Sequence, residues 1–185
     1  MAKTIYYTEA DKERYQILTE VMQLEDLVVV KESYEAEENT RYFYCGMKRY
    51  IGACDACGVV SNTVHDYQQQ REVHDVLLRG QKVKLVFDSV RLKCNDCKNV
   101  FTLEVRDAVR NCSYTKRLYE EISNPARKQD VSTMSRLYGV GYKTVESIIL
   151  KAGESKLEQR RKATLKVKRL GIDEISQKKG KETTP

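Results

Sequence analysis

The chain has 185 residues, 41% hydrophobic and 32% charged. That is too rich in aliphatic residues and Tyr for disorder throughout, and too polar for one large core. No apolar run approaches the ~20 residues of a membrane helix, and the opening MAKTIYYTEADKERYQ lacks the apolar region of a secretory signal. The expectation is a cytoplasmic chain of one or two domains, or of small modules, with no membrane partner. Its net charge of +6 is uneven: residues 1–40 hold 4 Lys/Arg against 10 Asp/Glu, and residues 110–170 hold 15 against 6. Such a basic second half suits a nucleic-acid binder, or more plainly a solvated helical surface.

In chain order, Ile17, Leu18, Val21, Met22 and Leu24 are spaced for a short amphipathic helix over residues 8–24. LVVVKESYE (27–35) and RYFYCGM (41–47) read as strands joined at EENT (37–40), a hairpin. Strands follow near 60–67, 71–78, 82–94 and 99–105, with Gly80 at a turn. The repeated VHD (64–66 and 73–75) reads as two facing strand positions. Helical periods begin after about residue 110, near 114–123, 131–138 and 142–152, and a charged stretch runs to about 168. Residues 165–176 return to strand character. The predicted class is α+β and multi-module: a helix and β-hairpin (1–48), a zinc ribbon (49–108), an all-α helix-turn-helix domain (112–153) and a charged linker or helix (154–168).

Four of the six cysteines form two C-x-x-C pairs, CDAC (Cys54, Cys57) and CNDC (Cys94, Cys97), with 36 residues between them. A C-x-x-C turn lets two thiolates reach one metal, and a second turn completes a tetrahedral site. A long hairpin brings the pairs together. Gly58 suits a left-handed turn, and Lys98 is placed to offset thiolate charge. The expected cofactor is structural Zn2+, because four thiolates leave no open coordination position. Two disulfides or a redox pair fit less well without secretion or a thioredoxin-like setting. His65 and His74 read as surface or cross-strand residues, and Cys45 and Cys112 as half-buried thiols. No Ser/His/Asp or Cys/His pattern supports nucleophilic catalysis or a small-molecule substrate.

DVSTMSRLYGVGYKTVESIILKAG (130–153) reads as a helix-turn-helix. Asp130 or Ser132 caps the first helix. Met134, Leu137 and Tyr138 form its inner face, Gly139 ends it, Val140 fills the corner, and Val145, Ile148 and Ile149 line the second helix. Tyr142, Lys143, Thr144, Glu146, Ser147 and Lys151 would then face DNA, joined by Arg136 from the preceding helix. An ordinary antiparallel helix pair is the bland alternative.

The order of a ribbon (CDACG…KCNDCKNVF), the helix pair (VSTMSRLYGVGYKTVESII) and LGIDEISQKKG resembles the bacterial insertion-sequence transposases of the L-three family, over roughly residues 25–180. That resemblance implies cut-and-paste transposition by a ribonuclease-H-like DDE domain, whose opening strand would fall on residues 169–185. Asp173 takes the place of the first catalytic aspartate. The chemistry needs two metal ions held by three carboxylates, with Mg2+ the cofactor of an intact member. Asp173 and Glu174 point to opposite faces of a strand, and after KKG, where the family pattern would continue into a second strand, the sequence reads KETTP. The expectation is thus a truncated, non-enzymatic fragment that binds double-stranded DNA at the element's inverted repeats, as a homo-oligomer or with a full-length transposase. Alternatives are an autonomous zinc-ribbon/helix-turn-helix regulator or transposition inhibitor, and a protein-docking module that uses the acidic first 40 residues.

Overall fold

The computed structural model describes residues 9–124 and 129–162. They form four helices and a mixed sheet. The elements are α1 (Glu9–Val21), β1 (Leu27–Glu35), β2 (Thr40–Met47), β3 (Gly52–Ala53), β4 (Val60–Ser61), β5 (Val64–Leu78), β6 (Gln81–Lys93), β7 (Val100–Thr102), α2 (Lys116–Ser123), α3 (Val131–Tyr138) and α4 (Tyr142–Lys162). None of the described helices is long and apolar enough to cross a membrane.

The sheet order is β1-β2-β6-β5, with β7 on the far end of β6. Two hairpins build it. Asn39 adopts a left-handed conformation (φ 49°) at the β1–β2 turn. Arg79 and Gly80 both have positive φ at the β5–β6 turn, the requirement of a tight two-residue turn that twists with its strands. The hairpins meet by parallel pairing of β2 with β6, Thr40 opposite Lys82 through Cys45 opposite Phe87. Alternation then sets one face inward. Phe43, Cys45, Val73, Val83, Leu85 and Phe87 join Leu27, Val29, Met22 and Leu24 in a core under α1. Phe43 and Leu85 are fully buried, and each such side chain stabilises by about 1.5–3 kcal/mol. Thr19 ties α1 down: its hydroxyl donates to the Tyr15 carbonyl (2.7 Å) and accepts from the Val29 amide (2.9 Å).

Beyond Phe87 the strand β6 continues into a second core of Val90, Leu92, Phe101 and Leu103 with Cys54 and Cys94. The short β3–β4 hairpin sits there, and Gly52 makes room for it: a Cβ at that position would meet Leu103 Cδ1 at 3.0 Å. One strand thus serves both the large sheet and the cysteine knuckles.

The helices do not form an all-α unit. Their core of Tyr114, Leu118, Ile122, Met134, Tyr138, Val140, Val145 and Ile148 also takes in Val76 and Leu77 from β5. The ladder explains this. His74 exchanges backbone hydrogen bonds with the segment before α2, its amide to Ser113 (2.8 Å) and its carbonyl from Thr115 (2.9 Å). Two further expectations are corrected. The strands expected at 60–67 and 71–78 are largely one strand, β5, because Gln68–Gln69–Gln70 holds no turn former and the chain absorbs the irregularity as a bulge between Tyr67 and Gln70. Both VHD segments therefore lie along one strand and do not face each other. The second helix of the pair also runs through Gly153 to Lys162. A single Gly inside a helix costs only about 1 kcal/mol, and Arg160, Arg161 and Lys162 suit the negative end of the helix dipole. The expected ribonuclease-H-like strand at 169–185, with Asp173, lies outside the described residues.

Candidate metal centre and nucleic-acid interface

The two C-x-x-C segments fold as near copies. In the first, the Cys54 amide donates to the Val59 carbonyl (2.9 Å); in the second, the Cys94 amide donates to the Asn99 carbonyl (2.8 Å). Gly58 (φ 76°) and Lys98 (φ 64°) occupy equivalent left-handed positions. Each knuckle closes a hairpin, β3 to β4 and β6 to β7, so the backbone aims both sulfur pairs at one point.

There the four sulfurs gather within 4.8 Å of one another. Cys54 Sγ lies 3.6 Å from Cys97 Sγ, and Cys57 Sγ 3.6 Å from Cys94 Sγ. A tetrahedral zinc with bonds of ~2.3 Å separates its sulfurs by about 3.8 Å, whereas a disulfide needs about 2.05 Å. The residues fit structural zinc in a ribbon-like setting. Cys54 and Cys94 are buried, and Cys57 and Cys97 exposed.

The electrostatics point the same way. Burial opposes charge on Cys54, but the Cys57 and Ala56 amides and the Asn99 side chain outweigh it and hold the thiol at about 6. The Cys97 amide, working against burial, holds Cys94 below the ordinary thiol value. At Cys57 the Val59 amide is outweighed by hydrogen bonds shared with the other sulfurs, which push it up to about 12. Cys97 is raised similarly, against the pull of the Asn99 amide. Four sulfurs so close cannot all ionise by themselves. A divalent cation would remove that conflict by drawing charge from each.

The Lys98 ammonium donates to the Asn95 carbonyl (2.6 Å) within the second knuckle and makes no hydrogen bond to a sulfur. The side-chain donor there is Asn99, whose Nδ2 is 3.7 Å from Cys54 Sγ and 2.6 Å from Asp55 Oδ1. Sequence reasoning missed it. The available signal was an amide side chain two residues past Cys97. His65 is exposed on β5, and His74 is half-buried beside α3; neither belongs to the sulfur cluster. Cys45 is buried, and its thiol is pushed up to about 12, chiefly by that burial.

In the helical half, Asp130 caps α3, accepting from the Thr133 amide (2.9 Å) and hydroxyl (2.7 Å). Gly139 (φ 70°) ends it. A Cβ there would meet Lys82 Cδ at 3.2 Å, so left-handed geometry and close approach to the sheet both favour glycine. Ser135 Oγ donates to the Val140 carbonyl (2.7 Å), closing the turn. Met134, Tyr138, Val140, Val145 and Ile148 are buried together. Leu137, expected on this inner face, is exposed. The seam takes Met134 and Tyr138, four apart on one stripe, and Leu137 falls to its flank.

Opposite the seam, Arg136, Tyr142, Lys143, Glu146 and Lys151 are exposed, and Thr144 and Ser147 half-buried. All but Arg136 lie on α4, so one surface of the helix carries a hydroxyphenyl group, two ammonium groups, a carboxylate and two hydroxyls. No protein-family model matches the chain, and neither a curated protein nor a solved structure matches it.

Proposed function

We propose that the chain is a zinc-stapled protein that binds double-stranded DNA through α3 and α4, and that it corresponds to the end-recognition part of an insertion-sequence transposase of the L-three family, with no catalytic competence in these residues. The observation that carries the reading is the α3–turn–α4 unit. Gly139 ends the first helix in the left-handed conformation, three residues separate the two helices, and the seam buries Val145 and Ile148 completely. Such a unit presents the start of its second helix to the major groove. Tyr142, Lys143 and Glu146 occupy that start, and Arg136 and Lys151 flank it as phosphate partners. The basic excess of residues 110–170 supports the same partner.

The zinc has a structural role in this reading. A four-cysteine set is coordinatively closed, so it fixes the knuckles and takes no part in chemistry. Transposition itself would need the three-carboxylate site that the resemblance implies, of which Asp173 is one member.

The test is duplex binding by zinc-loaded protein, followed by fluorescence anisotropy against salt. The expected result is a steep fall in affinity with salt, about 0.9 in slope per neutralised phosphate. Lys143→Ala and Lys151→Ala should each lower that slope by roughly one contact. Selection from random duplexes should return the terminal inverted repeats of an insertion sequence, and Mg2+ should elicit no strand cleavage. A salt-independent interaction, or cleavage by the purified chain, would overturn the proposal.

A further inference from the structure

We infer that a basic groove between β7 and the start of α2 binds a phosphate group, and that a backbone phosphate of nucleic acid is its source. A cavity of about 170 Å3 lies there, lined by Arg71, Arg106, Arg110 and Lys116, with Glu104 the only acidic residue on its wall. A wider depression continues from it, sharing Arg71, Thr102 and Asn111 and carrying Glu72 on its wall. Only the identity of that source rests on the DNA-binding reading; the groove itself stands on its own residues.

The cations differ in how they are held. Arg71 is fixed in place: its Nη2 donates to the carbonyls of Cys112 (2.9 Å) and Val109 (3.4 Å), and its guanidinium lies 5.4 Å from the Phe87 ring centroid. Both hydrogen bonds come from one nitrogen, so Nε and Nη1 keep their protons for another acceptor. An arginine so oriented loses little freedom when it takes an oxyanion. Arg110 pairs with Glu104 at 2.9 Å, but both side chains are about two-thirds exposed. Exposed pairs of this kind are worth about 0–1 kcal/mol, so a phosphate can take Arg110 from its partner. Arg106 is bound to Asp26 and Glu25 and contributes field rather than a free donor.

Lys116 is the decisive residue. It opens α2, next to Arg117, and the first turn of that helix holds no acidic residue. Two cations at the positive end of a helix dipole oppose each other and the dipole. Asp75 answers the charge of Arg117. The Lys116 ammonium makes no hydrogen bond or ion pair among the described residues, and Lys116 lines both this cavity and a neighbouring one whose wall includes Glu25, Asp107 and Glu120. An anion seated between Lys116, Arg110 and Arg71 relieves this conflict and satisfies donors already in place.

The experiment uses the full zinc-loaded chain and the double variant Arg110→Gln/Lys116→Gln, both sites being exposed. Inorganic phosphate is titrated while the amide resonances of Asn111, Ser113 and Lys116 are followed, and duplex affinity is measured against salt. The proposal expects phosphate to shift those amides, at least tenfold weaker binding in the variant, and a salt slope lower by about one to two contacts (about 0.9 each) with Lys143 and Lys151 intact. If the wild-type chain binds phosphate in the groove but no duplex, the site stands, its phosphate comes from another ester, and the DNA reading fails. If the chain binds duplex while phosphate shifts nothing and the variant keeps the full slope, the groove proposal is overturned and the DNA reading survives.

Discussion

At the scale of single residues, Asp75 holds more of the molecule together than its place in a β-strand suggests. Its carboxylate is 1% exposed. It accepts from the Thr115 hydroxyl (2.7 Å) and from two nitrogens of Arg117, and Arg117 also donates to the Met22 carbonyl. Strand β5, the cap of α2 and the end of α1 thus meet at one ion pair. Removing one partner of a buried pair leaves an uncompensated charge and costs about 3–5 kcal/mol. Since Arg117 is partly exposed, Asp75→Ala should sit near the low end, about 3 kcal/mol, with Asp75→Asn milder because it keeps an acceptor for Thr115. Urea denaturation at neutral pH measures both; since both variants remove the charge, equal losses would contradict the role given to the Thr115 acceptor, and losses under about 1 kcal/mol in both would contradict the role given to the charge.

At the scale of elements, His74 marks where α3 meets the sheet. Its ring lies under the α3 terminus, with Nδ1 3.8 Å from where a Gly139 Cβ would stand. Burial first, then the nearby Lys84 and Lys82, lower its pKa, while Glu72 and a hydrogen bond to the Tyr138 backbone act the other way. The folded value therefore lies below the unfolded one of about 6.5. Stability from this site is complete above that value. It is lost as pH falls towards the folded pKa, because the unfolded chain takes the proton first. Wild type should lose more stability than His74→Gln between about pH 7.5 and about pH 5. Parallel urea midpoints for the two proteins would show that His74 is not the titrating group.

At the scale of the whole molecule, β6 links two cores of unequal strength. The sheet core is broad and has α1 over it, whereas the knuckle core is built from six residues, two of them cysteines. For so small a core a metal held by the four sulfurs would supply much of the folding energy. Chelation of zinc should thus melt the knuckles without unfolding the sheet. Amide exchange at Gly52–Ala53, Val60–Ser61 and Val100–Thr102 should become fast, while Val83 to Phe87 stays protected. Loss of protection throughout β6 would mean that the metal supports the entire fold.

The sequence by itself determined the features that depend on neighbours along the chain. Two C-x-x-C pairs announced a four-sulfur site because the turn geometry is local. Gly139 and Asp130 announced the limits of α3 because caps are local, and alternation announced the β1–β2 hairpin. Only the tertiary structure decided the rest. Nothing local specifies that β2 runs parallel to β6, since that pairing joins two hairpins edge to edge across residues about 40 apart in sequence. Whether Leu137 faces in or out depends on which stripe of α3 meets β5, and Asn99 becomes a partner of Cys54 only when the two knuckles converge. The Asp75–Arg117 pair joins residues 42 apart in sequence, and the groove at Lys116 exists only where a strand end and a helix start are brought side by side. Local hydrogen-bonding geometry is written residue by residue, whereas burial and long-range pairing are settled by which surfaces exclude water together.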